Sequence, residues 1–505
     1  MTRSNHIRNG RYVVAKFGGT SVATPAGWKT IAKVVARHRE THDRVVLVCS
    51  AVAGVTNRLT KVADAIANGE DHQTILDEIR DLHRGLAAGL GIDADALLAE
   101  EERHLLDACQ AGGSLGPQHR AQILAFGELA STLLGTAWLA ASGVAAVRLD
   151  ARHLLRAISD GDRAERYLSA RCAPERGSLR AELDAIPAEV IVTQGFIAGN
   201  DARETVLLGR GGSDTSGAYL AAAVAADLLE IWTDVPGMFT ADPRSMPEAR
   251  MLRRMSYREA EAAGALGAKV LHPRTIEPVR RAGIPIRIRW TADPDIQGTL
   301  IARTRSPRGA KAIVSRRDLA LVTMWRSSSW QPVGFMADVA ARFHKLGLSM
   351  DLISTSPSEI RATIDVSAFP TARDDLQRLC AELEDVCRPR VVSRVACVSV
   401  VGAGVTEKLL AGWPGVAAAS DAALHLISHS ACGDHVSYVV DPQAEAELVA
   451  AAHAGLMSAV DDESVFGRSW AELTAPGAPS KAMVEKPSTQ DGRASAGVAV
   501  AELVA

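Results

Sequence analysis

Lys16-Phe17-Gly18-Gly19-Thr20-Ser21 is the stretch that decides how this chain is read. It leaves the apolar run Tyr12 to Phe17 and enters a segment opened by Thr24, a side chain suited to cap a helix, with Pro25 at the first helical position. A strand that turns on two glycines into a helix brings backbone N–H groups close to an oxyanion, and the helix dipole adds to the attraction. Lys16 sets a mobile cation where a transferred phosphate would lie. The lysine precedes the glycines, so this is not a Walker A loop. A Gly-Gly pair alone is as readily an ordinary tight turn; the Lys before it and the Thr-Ser after it favour the phosphate site.

A second glycine turn, Leu208-Gly209-Arg210-Gly211-Gly212-Ser213-Asp214-Thr215, again precedes a helix. Arg210 offers a planar fork for a carboxylate. Asp214 would repel a bare phosphate, so it makes sense where it orients lysines or faces a metal-bound phosphate. Ser213 and Asp214 also suit a helix cap, and the two readings are compatible.

Outward from these turns, short buried runs alternate with helical stretches. Tyr12 to Phe17, Val45 to Cys49, Val144 to Leu149, Glu189 to Thr193, Leu228 to Thr233 and Ile284 to Ile288 read as strands; Ala26 to Arg39 and Ser213 to Ala226 read as helices. The alternation predicts an α/β unit over residues 1–305, a mostly parallel sheet sandwiched by helices. Residues 71–139 are nearly all helical and read as an insertion or lid. After a break at Thr304 to Gly309 come two similar units of βαββαβ character, residues 315–394 and 395–470, the second with a return segment. Residues 474–505 are rich in Ala, Pro, Ser and Gly and read as a flexible tail.

Composition narrows the function. Of 505 residues, 47% are hydrophobic and 23% charged, and the net charge is -3, which gives no reason to expect a nucleic-acid or membrane-surface binder. The seven cysteines are scattered without a Cys-x-x-Cys pair, which argues against a disulfide framework or zinc site and for a reducing, cytoplasmic setting. No metal ligand set is expected. The stretch Met1 to Arg11 is too polar for a signal peptide, and no apolar run reads as long enough to span a bilayer.

The two glycine turns resemble those of the aspartate kinases of the amino-acid-kinase superfamily. The resemblance extends to about Leu456 and includes Ser50-Ala51-Val52-Ala53-Gly54-Val55-Thr56-Asn57, Phe126-Gly127-Glu128, Thr193-Gln194-Gly195-Phe196, Ile231-Trp232-Thr233-Asp234-Val235-Pro236-Gly237 and Gly267-Ala268-Lys269-Val270-Leu271-His272-Pro273. It implies an ATP-dependent kinase that phosphorylates the β-carboxylate of L-aspartate, with Mg²⁺ on the phosphates. Lys16 would stabilise the transferring phosphoryl group and Asp214 would organise the active-site lysines. Arg210 would hold the α-carboxylate of aspartate and Glu128 its ammonium group; Ala51, Thr56, Phe196, Gly211, Gly212 and Ser213 would line the same pocket. Gly18, Gly19, Ser21, Ser50, Thr233, Asp234, Phe239, Arg244, Lys269 and Val270 would bind the nucleotide. Phe239 departs from the tyrosine frequent in the family, which removes a hydrogen bond and leaves stacking. Taken singly each residue has a bland reading: Glu128 as a solvated helical glutamate, Lys269 as a cap partner, Asp234 as a turn residue. Their joint order decides.

The C-terminal units resemble the ACT pair of the same family, in which one module is inserted within the other. An effector amino acid, lysine or threonine, would bind near Phe335, Met336, Met350, Asp351 and Ser356, with Asp351 facing its ammonium group; Asp351 as a simple strand-end cap is the alternative. Ser329 and Pro332 depart from the usual Met and Ser. A homodimer or higher homo-oligomer through these modules is expected. Val401-Gly402-Ala403-Gly404-Val405-Thr406-Glu407 lacks the third glycine of a dinucleotide fingerprint and reads as a strand-to-helix turn. Val465-Phe466-Gly467-Arg468-Ser469-Trp470 resembles the junction in fused aspartate kinase–diaminopimelate decarboxylases. Two other readings are another amino-acid kinase and an inactive amino-acid sensor; intact Lys16, Arg210, Asp214 and Lys269 argue against the latter.

Overall fold

The structure, a computed structural model, describes residues 11–110, 115–173, 178–304, 307–326, 333–366, 372–410, 424–459 and 462–475. Ser329, Pro332, most of the tail and the segment from Ala411 to Ala423 lie outside them.

The first unit is built on β1 (Tyr12–Phe17), β2 (Arg44–Cys49), β3 (Ala146–Arg148), β4 (Val190–Gln194), β5 (Ile197–Gly199), β6 (Thr205–Leu207), β7 (Leu228–Thr233), β8 (Arg250–Leu252), β9 (Arg254–Ser256), β10 (Ile286–Trp290) and β11 (Thr299–Ala302). Eight of these form one sheet in the order β3-β4-β2-β1-β7-β10-β11-β9. All neighbours run parallel except β10 and β11. The central strands are apolar along their length because both faces are covered. Val13, Ala15 and Phe17 pack with helices Pro25–Arg39 and Val55–Asn68; Val14 packs on the opposite side with helix Gly212–Ala223. β1 therefore lies where the sheet's connections diverge, with β2 on one side and β7 on the other. The crevice beyond the carboxyl ends of such strands is where α/β sheets bind ligands.

The helical stretch expected at 71–139 is three helices, Gln73–Leu90, Ala94–Gln110 and Pro117–Ala141. It is not a lid. Leu76, Ile79, Leu86, Leu98, Leu105 and Leu124 share one core with β1 and β2. Helix Pro117–Ala141 also corrects the expectation about membranes: its length and hydropathy meet those of a span, but 72% of its most apolar window is buried inside the fold. Gly127 and Gly135 let it approach closely, since a Cβ at Gly135 would lie 1.8 Å from the Trp28 ring.

The second unit has six strands, β12 (Ala312–Trp325), β13 (Ile353–Thr355), β14 (Glu359–Asp365), β15 (Arg388–Val401), β16 (Leu424–His429) and β17 (His435–Val440), in the order β13-β14-β12-β15-β17-β16. Of the two long central strands, β12 starts before the first repeat and ends within it, and β15 starts in the first repeat and ends in the second. Ile313 of β12 packs with Val398, Val400 and Tyr438, whereas Val322 and Met324 pack with Phe335, Val339 and Phe343. One module is thus inserted within the other, and both share a sheet. A register shift between Arg316 and Leu319, with Asp318 at φ 56°, marks the junction.

The units are joined by buried contacts. Lys311 Nζ lies 2.6 Å from Glu259 Oε1, with 3% and 1% of the side chains exposed. Glu259 Oε1 also accepts from Ala403 N at 3.1 Å. Thr240 Oγ1 and His453 Nε2 are 2.8 Å apart. Gly402 to Gly404 form the turn between β15 and helix Val405–Leu410, as the sequence suggests. The return segment proves to belong to the first unit: β18 (Phe466–Ser469) pairs antiparallel with β8.

Candidate active site

β1 ends at Phe17, and Gly18 N donates to Trp232 O of β7 at 3.0 Å. Gly19 turns so tightly over the next connection that a Cβ there would lie 2.8 Å from Ala51 O. A short helix, Gly19–Val22, begins here, and Thr24 Oγ1 accepts from Gly27 N to start helix Pro25–Arg39. Ser50 N donates to Phe17 O, and Ala53 N to Gly19 O, so the turns after β1 and β2 are tied together. Ser21 Oγ lies 2.6 Å from Thr291 Oγ1.

Lys16 is the last inward-facing residue of β1 on the side covered by helix Gly212–Ala223. Its Nζ lies 2.6 Å from Asp214 Oδ1, with 11% and 14% of the two side chains exposed. Asp214 Oδ1 has no aligned hydrogen-bond donor, so the contact is an ion pair held by distance rather than direction. Gly217, one turn along the same helix, leaves room for the lysine stem: a Cβ there would be 3.4 Å from Lys16 Cβ.

Glu128 approaches from the other side, on helix Pro117–Ala141, and is 2% exposed. Gly127 lets the helix reach the turn after β2, since its Cβ would lie 2.6 Å from Ala51 Cβ. Burial pushes the Glu128 carboxyl up to about 8, opposed by hydrogen bonds from the Ala51 and Glu128 amides and by the Lys16 charge. Its Oε2 is buried without a partner. A buried acceptor of this kind is costly unless a ligand cation completes it.

The second glycine turn closes the pocket. Phe196 adopts a left-handed φ of 67°, accepts from Leu208 N at 2.8 Å, and sets its ring where a Cβ at Gly212 would lie only 2.7 Å away. Such strain is costly in a non-glycine residue and clusters at ligand sites. Gly195 faces Ser213, and Gly211, at φ 69°, faces His272. Arg210 is exposed at the rim. Thr56 sits in the first turn of helix Val55–Asn68, after Gly54 at φ 83°.

The residues expected to hold nucleotide fall in two groups. Thr233 ends β7, its Oγ1 donates to Asp234 Oδ1 at 3.1 Å, and Arg244 pairs with Asp234 at 2.8 Å. Phe239 is buried beyond them. Lys269 and Val270 are on the loop after Gly267, which lies against β12: a Cβ at Gly267 would meet Ser315 O at 2.9 Å. The expected effector residues are on the other sheet. Phe335 is buried, Met336 exposed, and Met350 packs on the first module's core. Asp351 pairs with Arg316 at 2.6 Å, and Ser356 N donates to Glu359 O.

Three neighbours escaped the sequence reading. His272 caps helix Pro273–Ala282, and burial, with Arg274 and Arg210 nearby, holds its imidazole below the usual value against the pull of Asp214. Thr291 and Trp290 were missed because β10 runs two residues past the apolar stretch that signalled it.

A model described as the amino acid kinase family matches residues 11–289. Lysine-sensitive aspartokinase 3 of Escherichia coli is 32% identical over 452 residues, spanning 88% of this chain and 99% of that protein. The aspartokinase of Candida albicans is 29% identical, spanning 92% of this chain and 94% of that protein. The structure of E. coli aspartokinase III in complex with aspartate and ADP matches with a TM-score of 0.76 at 30% identity, over 88% of this chain and 100% of that one. Its complex with lysine and aspartate matches with a TM-score of 0.70, at 30% identity over 88% of this chain and 99% of that one. The chain therefore belongs to the amino acid kinase family and, within it, to the aspartokinases.

Proposed function

We infer that this chain is an aspartate kinase, transferring the γ-phosphoryl group of ATP to the β-carboxylate of L-aspartate to give 4-phospho-L-aspartate and ADP. One observation carries the reading: a buried Lys16–Asp214 pair and a buried, unpartnered Glu128 oxygen lie at the carboxyl end of the parallel strands of one sheet. In this reading Lys16 supplies the cation for the phosphoryl group and Glu128 the carboxylate that receives an ammonium group. A β-carboxylate oxygen attacks the γ-phosphorus as the bond to the ADP oxygen breaks. The nucleophile is already an anion, so no general base is needed. Catalysis then rests on positioning and charge neutralisation. In this scheme Lys16 and the Gly18 and Gly19 amides face the moving phosphoryl group. Glu128 takes the substrate ammonium and Arg210 its α-carboxylate. The E. coli structure with aspartate and ADP supports the scheme.

Mg²⁺ belongs to the same proposal. Among the described residues no group of three acidic, His or Cys side chains is placed to hold a metal, and Mg²⁺ is commonly bound through substrate phosphates and one or two carboxylates. Its contribution when bound is to neutralise phosphate charge. Lysine is the effector we favour, supported by the lysine-bound form of the E. coli relative. Its ammonium group would compete with Arg316 for Asp351. A homodimer through the ACT sheet is supported by the exposed Ile353, Leu424 and Ile427 on its two outermost strands. We place the reaction in the cytoplasm, at the entry to lysine, threonine and methionine synthesis.

ADP formation with ATP and a panel of amino acids tests the reading. Aspartate should be turned over and glutamate not; turnover of glutamate alone, or of none, would overturn it. Repeating the assay with added lysine, in wild type and Asp351→Ala, tests the effector.

A further inference from the structure

The segment after the second module returns to the catalytic unit and is strapped to it. Arg253 N donates to Val465 O at 2.7 Å, and β18 pairs with β8 through Phe466 and Leu252 and through Ser469 and Arg250. Arg250 donates to Gly467 O at 2.9 Å and Phe466 O at 3.2 Å, and its guanidinium lies 5.7 Å from the Phe466 ring centre. Trp470 N and Ala471 N then donate to Ala249 O and Pro247 O, each at 2.9 Å. Ser469 and Glu472 form a capping box, and Leu473 is buried beside Phe239, Ala249 and Met251. This network fixes a segment that the catalytic scheme does not use.

What it delivers is an indole. The Trp470 ring lies 5.9 Å from Phe239 at 80°, and 5.9 Å from Trp290 at 47°. Trp290 is the register partner of Thr233, the last residue of β7, and Phe239 follows a few residues after Asp234. Three aromatic rings thus gather beside the residues assigned to the nucleotide. Phe239 is buried, whereas Trp470 and Trp290 are only partly so. A partly open aromatic face next to a phosphate turn suits a flat heteroaromatic base, for which stacking is the natural contact.

We propose that Trp470 forms a wall of the base pocket of the nucleotide site, so that the C-terminal strap, and not the catalytic unit alone, sets the affinity for ATP. This rests on the kinase reading above. It also gives the Phe466-Gly467-Arg468-Ser469-Trp470 run a role within this chain.

The test is calorimetric titration of the full chain with ADP and, separately, with tripolyphosphate, which has no base, using wild type, Trp470→Ala and Trp470→Phe. Trp470→Ala should weaken ADP about five- to tenfold, the weight of a lost base stack. It should leave tripolyphosphate and the aspartate KM within about twofold, on the scale of that same stack, and Trp470→Phe should recover most of the ADP affinity. Unchanged ADP binding in Trp470→Ala would overturn the proposal. So would equal weakening of ADP and tripolyphosphate, or no recovery with Phe, because the strap would then act only as a brace. Should wild type bind ADP yet form no aspartyl phosphate, the kinase reading falls while these titrations still decide the role of Trp470.

Discussion

Lys16 and Glu128 divide the chemistry between two buried groups, a cation for the phosphoryl group and a carboxyl for the substrate ammonium, and each makes a separate prediction. Lys16→Ala removes the cation that meets the transferred phosphoryl group. Steady-state kinetics should show kcat lower by roughly 10² to 10³, the usual loss for one such stabilising group, with the aspartate KM little changed. Glu128 predicts a pH dependence. With its carboxyl pushed up to about 8 in the free protein, it is largely protonated at neutral pH, while the substrate ammonium requires the carboxylate. Binding must then expel a proton, so the aspartate KM should fall as pH rises toward 8, by up to about tenfold per unit. Glu128→Gln should bind weakly and lose this slope; a KM flat from pH 6 to 8 in wild type would contradict the assignment. Sequence alone could propose both residues, because Lys16 precedes a glycine turn and Glu128 falls in a family block. It could not reveal that Glu128 is buried without a partner, since a helical glutamate is most often solvated. His272 was legible only as part of a motif, because its closeness to Arg210 and Asp214 depends on a distant helix start.

At the scale of elements, glycines set the site by permitting close approach. Helix Pro117–Ala141 can bring Glu128 under the turn after β2 only because residue 127 has no side chain. Gly127→Ala would push a methyl to within 2.6 Å of Ala51 Cβ and 3.0 Å of Val55 Cγ1. Overpacking of this kind costs about 1–3 kcal/mol. Thermal unfolding should show that loss, accompanied by a higher aspartate KM; a fully stable variant with unchanged KM would mean the helix has slack. The strands β1, β2, β4 and β7 could be read from continuous apolar runs, as expected for a sheet covered on both faces. β9 and β11 could not, being three and four residues long. The helices over 73–141 were legible as helices, but their place in the core was not: an amphipathic face looks the same whether it meets a lid or a sheet.

Across the whole molecule, the catalytic and regulatory units meet at Glu259 and Lys311. Burial would raise the Glu259 carboxyl, but Lys311 and the Ser256 hydrogen bonds together outweigh it and hold the group below the usual carboxylate range. The folded value is depressed, so the stability from this pair is present above the ordinary carboxylate range and is lost as pH falls through the folded value. Lys311→Ala leaves a buried, unpaired carboxylate and should cost about 3–5 kcal/mol, and Glu259→Gln with Lys311→Met should cost less. Denaturant unfolding of both variants checks this; equal losses would mean the charges matter less than the packing. The sequence marked a break at residues 304–309 and suggested two repeats after it. It did not show that β12 and β15 serve both modules, because register across a long strand pair is set by tertiary contact. The most direct test of the account is chemical trapping of the product. With ATP, L-aspartate and hydroxylamine, wild type should form the β-hydroxamate of aspartate and Lys16→Ala almost none. Hydroxamate formation by Lys16→Ala at the wild-type rate, or its absence with wild type, would contradict the account.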